Sequence, residues 1–129
     1  MFGILITTTI IGLATYYNPG VMDTVRANRN LECTDCIGYV ATLDCNALGS
    51  LVWLQRPGYN SEGPYMISDC AHSKHASNLS ARAWVVDVDW ETAVRWDMHA
   101  PIENVKVITE SEYKHMSTIA RPINHGVIK

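Results

Sequence analysis

The chain is short of several things. It has a single Phe, against six Tyr and four Trp. Charged residues make up 18%, below the roughly 25% of an average globular domain. Ten basic and 13 acidic residues leave a net charge of −3. With no strongly basic face to neutralise a phosphate backbone, nucleic-acid binding is not expected. No apolar run reaches the ~20 residues that a membrane-spanning helix needs. No Lys or Arg follows Met1 in the first stretch, and no repeat or low-complexity tract occurs. Ser-His-Asp order, a Gly-rich phosphate loop and an HExxH motif are also missing. These absences set aside the common nucleotide and zinc-protease chemistries, and no metal or cofactor is expected.

What remains is a 129-residue chain that is 47% hydrophobic, the size of one domain with a core of its own. Residues 1–14, MFGILITTTIIGLA, carry no side-chain charge. They fit the apolar region of a secretory signal cleaved after Ala14, with Gly12 and Ala14 as the small residues. The β-branched content of the same stretch also fits a buried first strand. Membrane contact is expected only if the segment stays uncleaved. Four cysteines, Cys33, Cys36, Cys45 and Cys70, are read as structural disulfides of an exported protein, with three pairings open. Cys33 and Cys36 form a C-x-x-C, but acidic neighbours disfavour a reactive thiol there.

The chain punctuates into short strands. Thr15–Tyr17 stops at Asn18-Pro19-Gly20, and spacing predicts a short helix over 21–31. Strands are expected at 37–43, 51–55, 64–68, 84–89 and 104–108. The 51–55 and 64–68 strands pair naturally across the Pro57–Asn60 loop. Residues 90–98 have helical propensity, with Asp89 read as solvent-facing or as a helix cap. Few helices and long connections favour a small β-barrel over a parallel α/β sheet. The expected domain is 15–108, followed by a polar extension over 109–129.

Several motifs in order resemble the double-psi β-barrel family of rare lipoprotein A, expansins and barwin. They are ATYYNPG at 14–20, GYVATLDCNALGSLVWLQ at 38–55, GPYMISDCA at 63–71, ARAWVVDVDWETAVRWDM at 81–98 and NVKVI at 104–108. The resemblance runs from about Ala14 to Ile108. It implies a mainly β fold, a small six-stranded double-psi barrel with one or two short helices. It also implies a secreted or cell-envelope protein that cleaves or binds cell-wall polysaccharide, peptidoglycan first. The sequence departs from the family in places. The lytic His is replaced near Leu43 beside Asp44, the family's Asp-Arg-Gly-Pro becomes Asp69-Cys70-Ala71-His72, and the expansin His-Phe-Asp motif is missing.

The candidate chemistry rests on carboxyls. Asp69 ends an apolar strand, where partial desolvation would let it serve as a general acid. Asp87 and Asp44 are its candidate catalytic partners. The bland alternatives are a turn cap for Asp69 and, for Asp87, pairing with Arg82, Arg95 or loop amides. Tyr16, Tyr17, Trp53 and Tyr65, with Tyr59, are candidates to stack on sugar rings. His72 and His75 follow Cys70, but C-x-H-x-x-H is not a usual zinc spacing. The competing function is a non-catalytic module that binds glycan or protein, or a subunit of a surface assembly.

Overall fold

A computed structural model describes residues 9–71 and 83–118. Six strands close into a mixed barrel: β1 (Ile10–Tyr16), β2 (Gly38–Thr42), β3 (Leu51–Gln55), β4 (Glu62–Cys70), β5 (Trp84–Val88) and β6 (Ile102–Thr109). The order round the barrel is β1-β5-β2-β4-β3-β6, with β6 returning to β1. Two neighbouring pairs, β1–β5 and β2–β4, are parallel, and the other four are antiparallel. Among the described residues three short helices accompany the strands, where one or two are expected. They are α1 (Val21–Arg29), α2 (Trp90–Arg95) and α3 over 110–118, and a 3₁₀ turn adds Cys45–Ala47.

Strand alternation builds the core. In β3, Val52 and Leu54 are buried while Leu51, Trp53 and Gln55 are only partly covered. Val40, Leu54, Val86, Val88 and Val105 have no accessible surface, and Tyr65 joins them. Each such aliphatic side chain contributes roughly 1.5–3 kcal/mol by leaving water. Gly12 marks the closest approach of β1 to the start of β5. A Cβ there would lie 2.2 Å from the Ala83 carbonyl oxygen. The 51–55 strand pairs antiparallel with β4 as its sequence suggests, Val52 facing Tyr65.

The domain boundary expected at residue 14 falls inside β1. Ala14 is fully buried and faces Val86 on one side and Ile102 on the other. Residues 10–14 therefore belong to the barrel, as the β-branched reading of that stretch has it, and a cut after Ala14 would remove most of β1. At the other end, residue 109 closes β6 and the chain continues as α3, so 110–118 is helical. His72 and His75 lie outside the described residues.

Both disulfides form: Cys33–Cys36, and Cys45–Cys70 across 25 residues. The second ties the 3₁₀ turn after β2 to the end of β4, beside Asp69. Cross-links stabilise mainly by restricting the unfolded chain, and longer loops gain more. Cys45→Ser with Cys70→Ser should therefore cost about 3 kcal/mol in denaturant unfolding, and the Cys33–Cys36 double substitution about half of that.

Candidate functional site

Four strands carry one row of residues across the outside of the barrel. In lateral order they are Thr15 on β1, Asp87 on β5, Ala41 on β2 and Asp69 on β4. Their neighbours Ala14, Val88 and Val40 point into the core, so alternation turns Thr15, Asp87 and Ala41 outward. Asp69 needs a further device. Ile67 is a core residue, and strict alternation would bury Asp69 with it. The β2–β4 register runs Val40↔Ile67 and then Ala41↔Asp69, leaving Ser68 as an extra residue. This bulge resets the alternation and brings Asp69 onto the outer face. With adjacent strands ~4.8 Å apart, the Asp69 and Asp87 backbones stand about 10 Å from each other across Ala41.

The segment that leaves β1 is drawn towards β4. Tyr17 donates its backbone N–H to Val88 (2.8 Å) and its hydroxyl to Oδ2 of Asp69. Helix α1 packs against β4, and Arg29 in its last turn donates to Oδ1 of Asp69 at 2.9 Å. Asp69 is thus held by a cation and a phenol, one on each oxygen, and is not a turn cap. Burial, followed by the hydrogen bond to Asp69, pushes the Tyr17 hydroxyl well above the usual tyrosine range. Tyr17 stays a neutral donor.

Asp87 has a different setting. Its Oδ1 accepts from the Thr15 hydroxyl at 3.1 Å, and Trp84 Nε1 donates to that same hydroxyl at 2.7 Å. It does not pair with Arg95, which goes instead to Glu62, and Arg82 lies outside the described residues. Burial, opposed by the Thr15 hydrogen bond and reinforced by the nearby Asp69 charge, pushes Asp87 up to about 6. The two carboxyls are therefore unlike: one is bound by donors and a cation, the other is desolvated and titrates near neutrality.

The remaining candidates separate from this row. Asp44 is exposed and caps the 3₁₀ turn, its Oδ1 accepting from Asn46 N–H at 2.9 Å, so it is no third member of the row. Tyr65 is fully buried, its hydroxyl donating to Glu62, so it cannot stack on a sugar. Burial, then the hydrogen bond to Glu62, raises its own pKa. Burial alone would raise Glu62, but hydrogen bonds from Tyr65, Arg95 and Trp96 outweigh it and hold that carboxyl low. Trp53 lies flat on Tyr113 with ring centroids 4.2 Å apart and packs against Gly63, which covers the ring a ligand would need. Tyr16 tilts against Trp90 at 5.9 Å, on the core side of β1, while Tyr59 is exposed beneath Arg56. Of the aromatic set, Tyr17 is the one that touches a row carboxylate.

Thr15, Arg29 and Trp84 are the site residues that sequence reading missed. The signal for Thr15 was present, since it stands one residue from the aromatic pair and has outward parity. The parallel pairing that brings it to Asp87 was not legible. A cavity of about 450 Å³ lies at Ala47, Leu51, Ile67 and Lys114, and neither row carboxylate lines it. No helix among the described residues is long and apolar enough to cross a membrane.

Comparison with protein-family models, with curated proteins and with solved structures finds no match for this chain.

Because the folded pKa of Asp87 lies above its ordinary value of 3.8, its ionisation opposes folding. The cost is absent below that value, grows through pH 4–6 and is complete above. Asp87→Asn should therefore stabilise the fold at pH 8 by about 2 kcal/mol and leave it unchanged at pH 3.5, as read by thermal melts at both pH values.

Proposed function

We propose that this chain is an exported double-psi β-barrel protein of the rare lipoprotein A, expansin and barwin type that cleaves cell-wall polysaccharide, with peptidoglycan as its first substrate. The observation that carries the reading is the unlike carboxyl pair, Asp69 and Asp87, on one row of the barrel's outer face. The strand order with its two parallel pairs and the two disulfides support it further. Disulfides of this kind persist in oxidising compartments.

The roles follow from the settings. Asp69 has both oxygens occupied by donors, the arrangement an ionised carboxylate accepts, so it is a poor proton donor. Asp87 is the better acid, because a pKa of about 6 leaves part of it protonated near neutral pH. Asp87 would give its proton to the glycosidic oxygen as the C–O bond breaks. The positive charge that develops on the sugar would meet the carboxylate of Asp69. Asp87, now ionised, would take the proton of a hydroxyl on the same sugar as that oxygen attacks the anomeric carbon. The proton lost in the first half is regained in the second, and no water is consumed. A single carboxyl serving as acid and then base meets the demand for which ordinary hydrolysis uses two.

A second reading is favoured by one specific feature. Asp69 is already saturated within the protein, and such a network suits a rigid binding face as well as a reacting one. On that reading the chain is a non-catalytic module for glycan or protein.

Incubation with purified peptidoglycan separates the two. The unmodified protein should release soluble fragments, and Asp87→Asn should reduce release at least 100-fold while pull-down by insoluble wall material is retained. Pull-down without any release by the unmodified protein would overturn the enzymatic reading in favour of the binding module.

A further inference from the structure

Trp84 and Thr15 take no direct part in the scheme above, yet they fix the state of the group that does. An indole N–H can only donate. Trp84 Nε1 lies 2.7 Å from Thr15 Oγ1, so the threonine oxygen is the acceptor of that bond. Thr15 then has one proton of its own to give, and Oδ1 of Asp87 stands 3.1 Å away. Were Asp87 to carry its proton on Oδ1 and donate it to Thr15, the threonine would be an acceptor twice over and its hydroxyl proton would lose this partner. The polarity of the chain is therefore set at its far end, by a group that cannot reverse. The geometry is held by packing: Trp84 is 6% exposed, and the parallel β1–β5 pairing places Thr15 directly beside Asp87.

We propose that Trp84 and Thr15 are positioning residues that form a one-way relay, Trp84 to Thr15 to Asp87, and thereby confine the transferable proton of Asp87 to Oδ2. The inference deepens the catalytic reading of the same row and rests on it for its use in glycan cleavage. The relay itself does not depend on that reading. Two effects follow. Oδ1 is kept as a hydrogen-bond acceptor in both protonation states, so the carboxyl need not rotate between its acid and base roles. Donation from Thr15 also favours the ionised form, which tempers the upward pull of burial and of Asp69. Among the described residues, the groups that bear on Asp87 are Thr15 from β1, Asp69 from β4 and Tyr17 beyond the end of β1, with Arg29 of α1 acting through its pair with Asp69.

The test is a carboxyl-carbon NMR titration of Asp87 in the full chain, run on four proteins. Thr15→Val keeps the side-chain shape and removes the hydroxyl, and should raise the Asp87 pKa by about one unit. Thr15→Ser restores the hydroxyl and should return the pKa to that of the unmodified protein. Trp84→Phe leaves Thr15 free to reverse, and should give a smaller rise in the same direction. A pKa unmoved by Thr15→Val, or moved equally by Thr15→Ser, would overturn the relay. Peptidoglycan release provides the second readout: the alkaline limb of its pH profile should shift with the NMR value in each variant. If the titrations behave as stated while no variant releases fragments, the relay stands and the catalytic reading fails.

Discussion

Two carboxyl groups on strands either side of β2, with Ala41 between them, do not stay equivalent when a cation reaches only one of them. Arg29 and the Tyr17 hydroxyl satisfy Asp69 from both sides, whereas Asp87 receives, among the described residues, the Thr15 hydroxyl and is desolvated. The charge of Asp69 helps to keep a proton on Asp87. Most of what is distinctive on the barrel's outer face, from the course of α1 to the partly buried Thr15, serves to maintain this inequality.

The inequality has an architectural source. A six-stranded barrel of this size spends its interior on packing, so chemistry must be carried on its outer wall. Outward residues on a barrel strand are ordinarily solvated, and solvated aspartates titrate alike. Here α1 packs against β4, and Met22 and Ala41 are buried although neither belongs to the main core cluster. The same helix delivers Arg29 to Asp69. The Ser68 bulge supplies the last requirement by turning Asp69 to the same side.

Much of the fold was legible in the sequence because it is a matter of local alternation. Val-Val-Asp-Val at 85–88 and Leu-Val-Trp-Leu at 51–54 announce strands by their period, and Asp89 behaves as the cap its position suggests, accepting from Thr92 N–H at 3.1 Å. The closed mixed barrel agrees with the expected class. The site was legible in part. Asp69 and Asp87 are brought to one row, but Asp44 is diverted to a local cap and Tyr65 to the core. Inward or outward placement of Asp69 turns on a one-residue bulge, which no periodicity reveals. Arg29 and Thr15 reach their partners through separations of 40 and 72 residues, which depend on topology. The apolar start of the chain reads two ways for a related reason. A signal core and a barrel strand are built from the same β-branched residues, and composition does not distinguish them.

The position of β1 has a consequence for how the molecule is made. This strand finds its hydrogen-bonding neighbours only in β5 and β6, which begin at residues 84 and 102. On a ribosome, an apolar β-branched strand would therefore wait with both edges open until nearly the whole domain had emerged. Such late, non-local closure slows folding and leaves an adhesive edge exposed in the meantime. A nascent chain built this way benefits from being kept extended until its last strands are made.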